Sequence, residues 1–498
     1  MAMKKARFFF AIIGLIISLL LANRAFAENK TFIREYTYVA NDIDSKVSSR
    51  AIALEQVKRV LLEELGIYLV NETEIKNIPM TKDQLTTLTS GIVSVEVINE
   101  KWDRRTYYLK AKITVDPEEL IKSVDALITD LQIRKELEDS RNKAEEAMRT
   151  VGRLKKEIEL VEGDTYKQNQ YSNAVKNLRA ADWFDRGMVF HLSNNLHKAI
   201  NAYTNAIQLS PNFALAYFSR GDAYTRLGNH QQAVNDYNKV IELSPNNENA
   251  YNNRGFNYRD LGNYHQAIDD YNKAIELNPK YVIAYFNRGF TYKILGNLWQ
   301  AISDYSKAIE LNPNYAEAYS NRGVTYNALK KHHQAVDDYN KAIELKPNYA
   351  EAYYNRGSAY HDLNDHQRAI DDYNKAIELN PKMTQAYNNR GSAYFDLGDH
   401  QKAIDDFSKA IELNSNDEEA YINRGSVFND LGDHQQAIDD YSKAIELNPN
   451  DAEAYINRAN AYAGQGDNNM RIRNLKMAAK LGNKKAQAYL FEKGIDWR

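Results

Sequence analysis

A 34-residue segment that copies itself end to end constrains this chain more than any other feature. Residues 350–383 read AEAYYNRGSAYHDLNDHQRAIDDYNKAIELNPKM, and the 34 before them read AEAYSNRGVTYNALKKHHQAVDDYNKAIELKPNY. Nine such units begin, without gaps, at Ala180, Ala214, Glu248, Val282, Ala316, Ala350, Thr384, Glu418 and Ala452. A fixed period of this size means one supersecondary unit stacked many times, because a single unit cannot bury its own apolar face. The tyrosine excess, 35 Tyr against 9 Pro, follows from copying the same positions.

Individual columns carry the local physics. Column four is Trp183, then Tyr217, Tyr251, Tyr285, Tyr319, Tyr353, Tyr387, Tyr421 and Tyr455. Column eight is glycine from Gly187 to Gly425 and ends in Ala459; column twenty is alanine from Ala199 to Ala437. Column thirty-two is proline from Pro211 to Pro449, with Ser415 the internal departure. The pattern predicts two amphipathic helices per unit, joined at turns such as Gly228-Asn229 and Gly398-Asp399, where glycine takes the left-handed C-cap. The small residues let the helices approach, and the column-four aromatic is expected to fill the space beside them. Proline then ends the second helix. The ninth unit has Arg471 at column twenty and a tail over 478–498 that is more basic than the repeats before it, as expected of a cap that meets water; residues 486–498 form the C-terminal end of that cap.

These columns resemble the tetratricopeptide repeat across residues 180–485. The resemblance implies a mainly α fold: an α-solenoid, a right-handed superhelix of helix hairpins that binds protein or peptide partners in its concave groove. It also implies that columns two, five, six, nine, twelve and thirteen face that groove. Column six is Asn253, Asn287, Asn321, Asn355, Asn389, Asn423 and Asn457, with Asp185 and Ser219 in the first two units. A primary amide offers two donors and an acceptor, so such a row can bracket the peptide groups of an extended chain. It is similar to the asparagine ladder of the O-linked N-acetylglucosamine transferase repeats. Inherited consensus, kept by duplication, is the competing explanation. Carboxylate-clamp members need lysine at column five, and this chain has none there, so a clamp is excluded.

The remaining groove columns change along the array. Phe184, Phe218, Phe256, Phe286 and Phe290 predict an apolar end, and Glu317, Glu351, Asp362, Asp396 and Asp430 an acidic one. The alternative is that some of these aromatics pack against the N-terminal segment. Arg at column seven and Asp at column twenty-three predict bidentate pairing between packed helices. Histidine recurs at column seventeen (His230, His332, His366, His400, His434), with no second ligand at i+4. These are expected to be solvated turn residues, without a metal site.

The N-terminal third reads differently. Lys4, Lys5 and Arg7, the apolar run 8–22 and Ala25-Phe26-Ala27 have the layout of a signal peptide over 1–27. The run falls short of the ~20 residues that span a bilayer. This predicts an exported chain, periplasmic or envelope-associated, with no stable membrane insertion after cleavage; a retained anchor is the alternative. Residues 28–116 predict a small α+β domain of βαββ order: a strand over 32–40, a helix over 42–69, and strands over 92–99 and 106–115 joined by a turn at 100–105. It weakly resembles N-terminal domains of bacterial envelope and flagellar-assembly proteins. Residues 117–163 predict a long charged helix with Leu137, Ala144, Ala147, Val151, Leu154, Ile158 and Val161 on heptad-like spacing, interrupted by Ser140. That seam either dimerises the chain as a coiled coil or packs on the small domain or the first repeat. Residues 164–179 read as a linker or a frayed helix.

Composition excludes several function classes. With no cysteine, disulfides, thiolate nucleophiles and Cys-based zinc sites are ruled out. A net charge of −3 without a basic stripe argues against nucleic acid, and a mean hydropathy of −0.64 against a polytopic membrane protein. HExxH, a phosphate loop and a nucleophile-with-base arrangement are all missing. The expectation is a non-enzymatic scaffold without a cofactor. The alternative is an envelope assembly or secretion adaptor whose N-terminal domain docks while the repeats act as a spacer.

Overall fold

The computed structural model describes residues 29–42, 44–71, 93–115, 131–160 and 164–497. The expected signal segment lies outside them. The chain packs as two compact units, Met1–Leu277 and Asn278–Arg498. Among the described residues, 21 helices and three strands are present, and no helix is long and apolar enough to cross a membrane.

The first unit opens with an antiparallel sheet of β1 (Lys30–Val39), β2 (Glu96–Trp102) and β3 (Thr106–Val115), in the order β1-β3-β2. Strand β3 is central, and its alternate residues Tyr107, Leu109, Ala111, Ile113 and Val115 are buried. Helix α1 (Lys46–Asn71) supplies Ile52, Leu54, Val57, Leu61 and Leu65 to the same core. The hairpin is tighter than the sequence suggests. Strand β2 continues through Glu100-Lys101-Trp102, and the reversal occupies only Asp103–Arg105. Arg104 adopts φ 76°, while Asp103 Oδ1 accepts from the amides of Arg105 and Thr106. This Asp-mediated turn lets the flanking residues keep their ladder bonds.

The charged helix α2 (Leu131–Leu160) is not a free dimerisation seam. Ala144, Ala147, Val151, Leu154 and Ile158 lie buried in the core that holds α1 and β3. Of the two readings of that seam, packing inside the chain is the one observed, because the small domain presents an apolar surface that must be covered. The expected linker is also corrected. Residues 165–179 belong to helix α3 (Thr165–Leu192), which runs without a break into the first repeat. Asp164 caps it by accepting from Tyr166 and Lys167 N–H. No proline or glycine intervenes before Gly187, and Tyr171, Ala174, Val175, Leu178 and Ala181 form a stripe that joins the same core.

From α3 onward the chain repeats a helix hairpin. In the sixth unit the first helix is Ala350–Asp362 and the second His366–Leu379. The second helix ends one residue before the Asn-Pro pair. The space beside the column-eight glycine is filled by column twenty-four, not by the column-four aromatic. A Cβ on Gly357 would sit 2.8 Å from Tyr373 Cε1, and one on Gly391 2.8 Å from Phe407 Cε1. Tyr203, Tyr237, Tyr271, Tyr305, Tyr339 and Tyr373 are all fully buried. Column-four rings from Trp183 to Tyr421 are only half-buried and carry an arginine over one face, as with Arg356 over Tyr353 at 5.5 Å, while Tyr455 in the last unit is buried. The tail is ordered as a further helix, Lys484–Glu492, whose Ala486 and Leu490 close the core of the ninth unit.

Candidate functional site

Column seven frames the surface. Seven arginines, Arg220, Arg254, Arg288, Arg322, Arg356, Arg390 and Arg424, each grip the column-twenty-three aspartate of their own unit through Nε and Nη2. For Arg356 and Asp372 the two contacts are 2.7 and 2.6 Å. Several of these arginines also reach the previous unit: Arg322 Nη1 donates to Ser306 Oγ and Arg424 Nη1 to Ser408 Oγ, both at 2.9 Å. Burial pushes up the carboxyls of Asp338 and Asp372, while the arginine fork pulls the other way. This is a structural staple, not an open anion ladder. In the ninth unit Asn474 takes the aspartate's place opposite Arg458.

Column six is half-exposed in most units but is partly engaged between repeats. Asn389 Nδ2 donates to Tyr354 Oη (3.2 Å), and Asn423 Nδ2 to Asn388 Oδ1 (3.1 Å), each reaching back one unit. Asn321 Oδ1 accepts from Lys293 Nζ, and its amide nitrogen donates to the Glu317 carbonyl. Asn253 Oδ1 accepts from Asn252. Asn287 is buried. Among the described residues, the side chains of Asn355 and Asn457 make no hydrogen bond, and both are half-exposed. Asn389 and Asn423 use only their amide nitrogens, so their carbonyl oxygens stay available.

The expected apolar end is largely core. Phe184 is fully buried against Tyr203 and Phe213, and Phe218 meets Tyr237 edge-on. Phe286 packs on Tyr305 and Tyr315. Column five therefore packs between helices; Ser320 and Asn388 there are buried too. Phe256 and Phe290, at column nine, remain half-exposed and are each covered by a cation, Arg259 at 4.2 Å and Lys293 at 4.6 Å. Burial lowers the Lys293 pKa.

The first unit's column six departs from asparagine for a visible reason. Asp185 pairs with Lys58 of α1 and accepts from Ser140 Oγ of α2 at 3.0 Å. Burial pushes the Lys58 ammonium down, but Asp185, Glu55 and Asp182 together hold its pKa above the usual lysine value. Lys143 of α2 lies 4.5 Å from the Phe213 ring centroid, and a cavity of about 450 Å³ is lined by Asp139, Lys143, Leu215, Phe218 and Asn249. The chain's own charged helix thus occupies the side of the first units that the sequence assigned to a partner.

The carboxylates differ among themselves. Glu317 is paired with Lys346 at 3.0 Å. Asp362 accepts from Asn327 Nδ2 at 3.2 Å. Asp396 meets His361 at 2.8 Å and His366 at 3.6 Å. Glu351 and Asp430 are exposed. The column-seventeen histidines are not simply solvated. His332 Nδ1–H donates to Asn327 Oδ1 (2.6 Å), His434 Nδ1–H to Asn429 Oδ1 (3.1 Å) and His230 Nδ1–H to Asn257 Oδ1 (2.9 Å). The turn aims column seventeen back at column twelve of its own unit (Asn327, Asn429) or, for His230, at column ten of the next unit (Asn257). Period counting missed this, since the partners come from i−5 and from the next repeat, not from i+4.

The tetratricopeptide repeat model matches residues 282–315, 316–349, 350–383 and 384–417. A TPR repeat model matches 187–228, 221–256, 257–296 and 425–466. No curated protein matches the chain. Among solved structures, the MamA protein is 30% identical over 34% of this chain and 94% of its own, with a TM-score of 0.32. YrrB, described as a TPR protein with an unusual peptide-binding site, is 26% identical over 38% and 97%, with a TM-score of 0.33. A tetratricopeptide repeat protein from Parabacteroides merdae is 21% identical over 50% and 98%, with a TM-score of 0.41.

Proposed function

Because the chain belongs to the tetratricopeptide-repeat family, we propose that it is a non-enzymatic scaffold holding an extended segment of a partner protein along its column-six amides. Stacked helix hairpins present such extended surfaces as a matter of geometry. The observation that carries this reading is the set of amide groups left unengaged: all of Asn355 and Asn457, and the carbonyl oxygens of Asn389 and Asn423. These can take the N–H and C=O groups of a strand-like peptide without reading its sequence. Exposed Glu351 and Asp430 favour a segment with basic side chains. The apolar grip inferred for the first units is dropped, since Phe184 and Phe218 are core.

The test is fluorescence anisotropy of labelled unstructured peptides, basic and acidic, against the intact chain and the N355A/N457A variant. Neither asparagine bonds within the fold, so circular dichroism should not change. Affinity for the basic set should fall about tenfold or more, the loss of roughly two hydrogen bonds. Equal affinity in the variant overturns the amide site.

We further propose that the protein works outside the cytoplasm, supported by the layout of residues 1–27. Sequencing the mature N-terminus should give Glu28. An adaptor role finds support in the fusion of α3 into the first repeat, which fixes the α+β layer to the start of the array. In that case peptides bind weakly and the isolated partner is captured only when β1–β3 are intact.

A further inference from the structure

We propose that His361, His366 and Asp396 form a site for a borderline divalent transition-metal ion, zinc foremost. His361 lies in the last turn of the helix Ala350–Asp362, His366 opens the helix His366–Leu379, and Asp396 ends the next unit's first helix, Thr384–Asp396. One ligand atom from each lies within 4.8 Å of the others. His361 Nε2 is 2.8 Å from Asp396 Oδ2, and His366 Nδ1 is 3.6 Å from the same oxygen. Ligand atoms around a tetrahedral ion, each at about 2.0–2.1 Å from it, lie roughly 3.3 Å apart. The three side chains therefore need only small rotations to converge.

His366 Nδ1 is shut off from solvent and has no hydrogen-bond partner. At the equivalent place one unit earlier, Asn327 Oδ1 takes the His332 Nδ1–H at 2.6 Å, and that histidine is satisfied without an ion. In the sixth unit His361 replaces that asparagine, so an amide acceptor becomes a second imidazole and the buried nitrogen is left over. A buried polar atom without a partner is destabilising, and a metal removes the deficit. His400 carries the same unpartnered nitrogen, but its neighbour is Phe395, with ring centroids 5.7 Å apart. That position offers an imidazole and Asp430, too few donors to hold an ion.

The donor chemistry selects the metal. Two imidazoles and one carboxylate suit Zn²⁺, Co²⁺, Ni²⁺ or Cu²⁺, whereas Mg²⁺ and Ca²⁺ prefer all-oxygen shells. Three protein ligands leave a position for water or for a donor from a bound segment. On binding, the ion takes the place of the proton that His361 Nε2 donates to Asp396, and the neutral imidazole keeps its one proton on Nδ1. The ligands come from two successive units, so the ion bridges the sixth and seventh.

The experiment is calorimetric titration of the intact chain with zinc chloride, repeated with cobalt chloride read by visible absorption. One saturable ion per chain is expected. H361N restores the asparagine that stands at this column as Asn327 and Asn429, so it should fold normally and bind at least about tenfold more weakly. D396N should weaken binding similarly, and H434N should leave it unchanged. A raised melting temperature with zinc in the parent, absent in H361N, would support the bridge. No saturation up to about a millimolar, or undiminished binding in both H361N and D396N, overturns the site.

Discussion

Tyr373 and Tyr353 carry the same side chain in the same hairpin and do different work. Tyr373 is fully enclosed and lies against the face of Gly357, whereas Tyr353 is half-exposed beneath Arg356. Tyr373→Ala should cost roughly 3–5 kcal/mol, as large aromatic truncations in cores do. Tyr353→Ala should cost about 1–2 kcal/mol, since it forfeits partial burial and one cation–π contact. Chemical denaturation of the two variants checks the order, and equal losses would refute the assignment of column twenty-four as the core ring. A smaller residue effect sits in the turn. Lys330 adopts φ 58° where most units place glycine. Lys330→Gly should stabilise the protein by about 1 kcal/mol, because only glycine escapes the left-handed Cβ clash.

Among the elements, α2 and α3 owe their positions to buried polar pairs. Asp44 has no exposed side-chain surface and collects Tyr38 Oη, the Asn41 amide, Tyr171 Oη of α3 and Lys155 Nζ of α2. One carboxylate thus ties the end of β1 to two helices. Asp44→Asn removes the charge that holds Lys155 and should cost about 3 kcal/mol, as breaking a buried pair does; thermal melts would show it. The repeats use a different tie. Arg356→Lys keeps the charge but loses the two-point grip on Asp372, and should cost roughly 1–2 kcal/mol. A loss of near zero would mean that the fork geometry is incidental.

The repeats stack hairpin after hairpin along the chain, preceded by the small α+β layer. In such arrays each unit contacts its neighbours, so damage stays local. Asp44→Asn should therefore lower amide-exchange protection in α1, α2 and α3 while leaving residues beyond 278 near their parent values. Uniform loss along the chain would contradict the division into two compact units. Because the seam of α2 is buried inside the chain, sedimentation at micromolar concentration should give a single-chain mass. A dimer would require another surface.

The period of 34, the hairpin in each unit and the Arg–Asp pairing were legible in the sequence, because each follows from spacing along one chain or between adjacent copies. Among the described residues, the succession of β1, α1, β2 and β3 follows from alternation and helical spacing in the same way. Which ring fills the glycine gap was not, since two tyrosine columns look alike until the helices cross. Nor was the fate of Asp185 and Ser140, which look like a broken ladder and a broken seam and are in fact partners of each other. The same holds for His361, His366 and Asp396. Repetition determines that a column exists, but a site that draws on two columns and two units exists only where the folded backbone brings them within bonding distance. The sequence alone determined the array and its family; tertiary packing decided which amides, rings and histidines were left to meet something else.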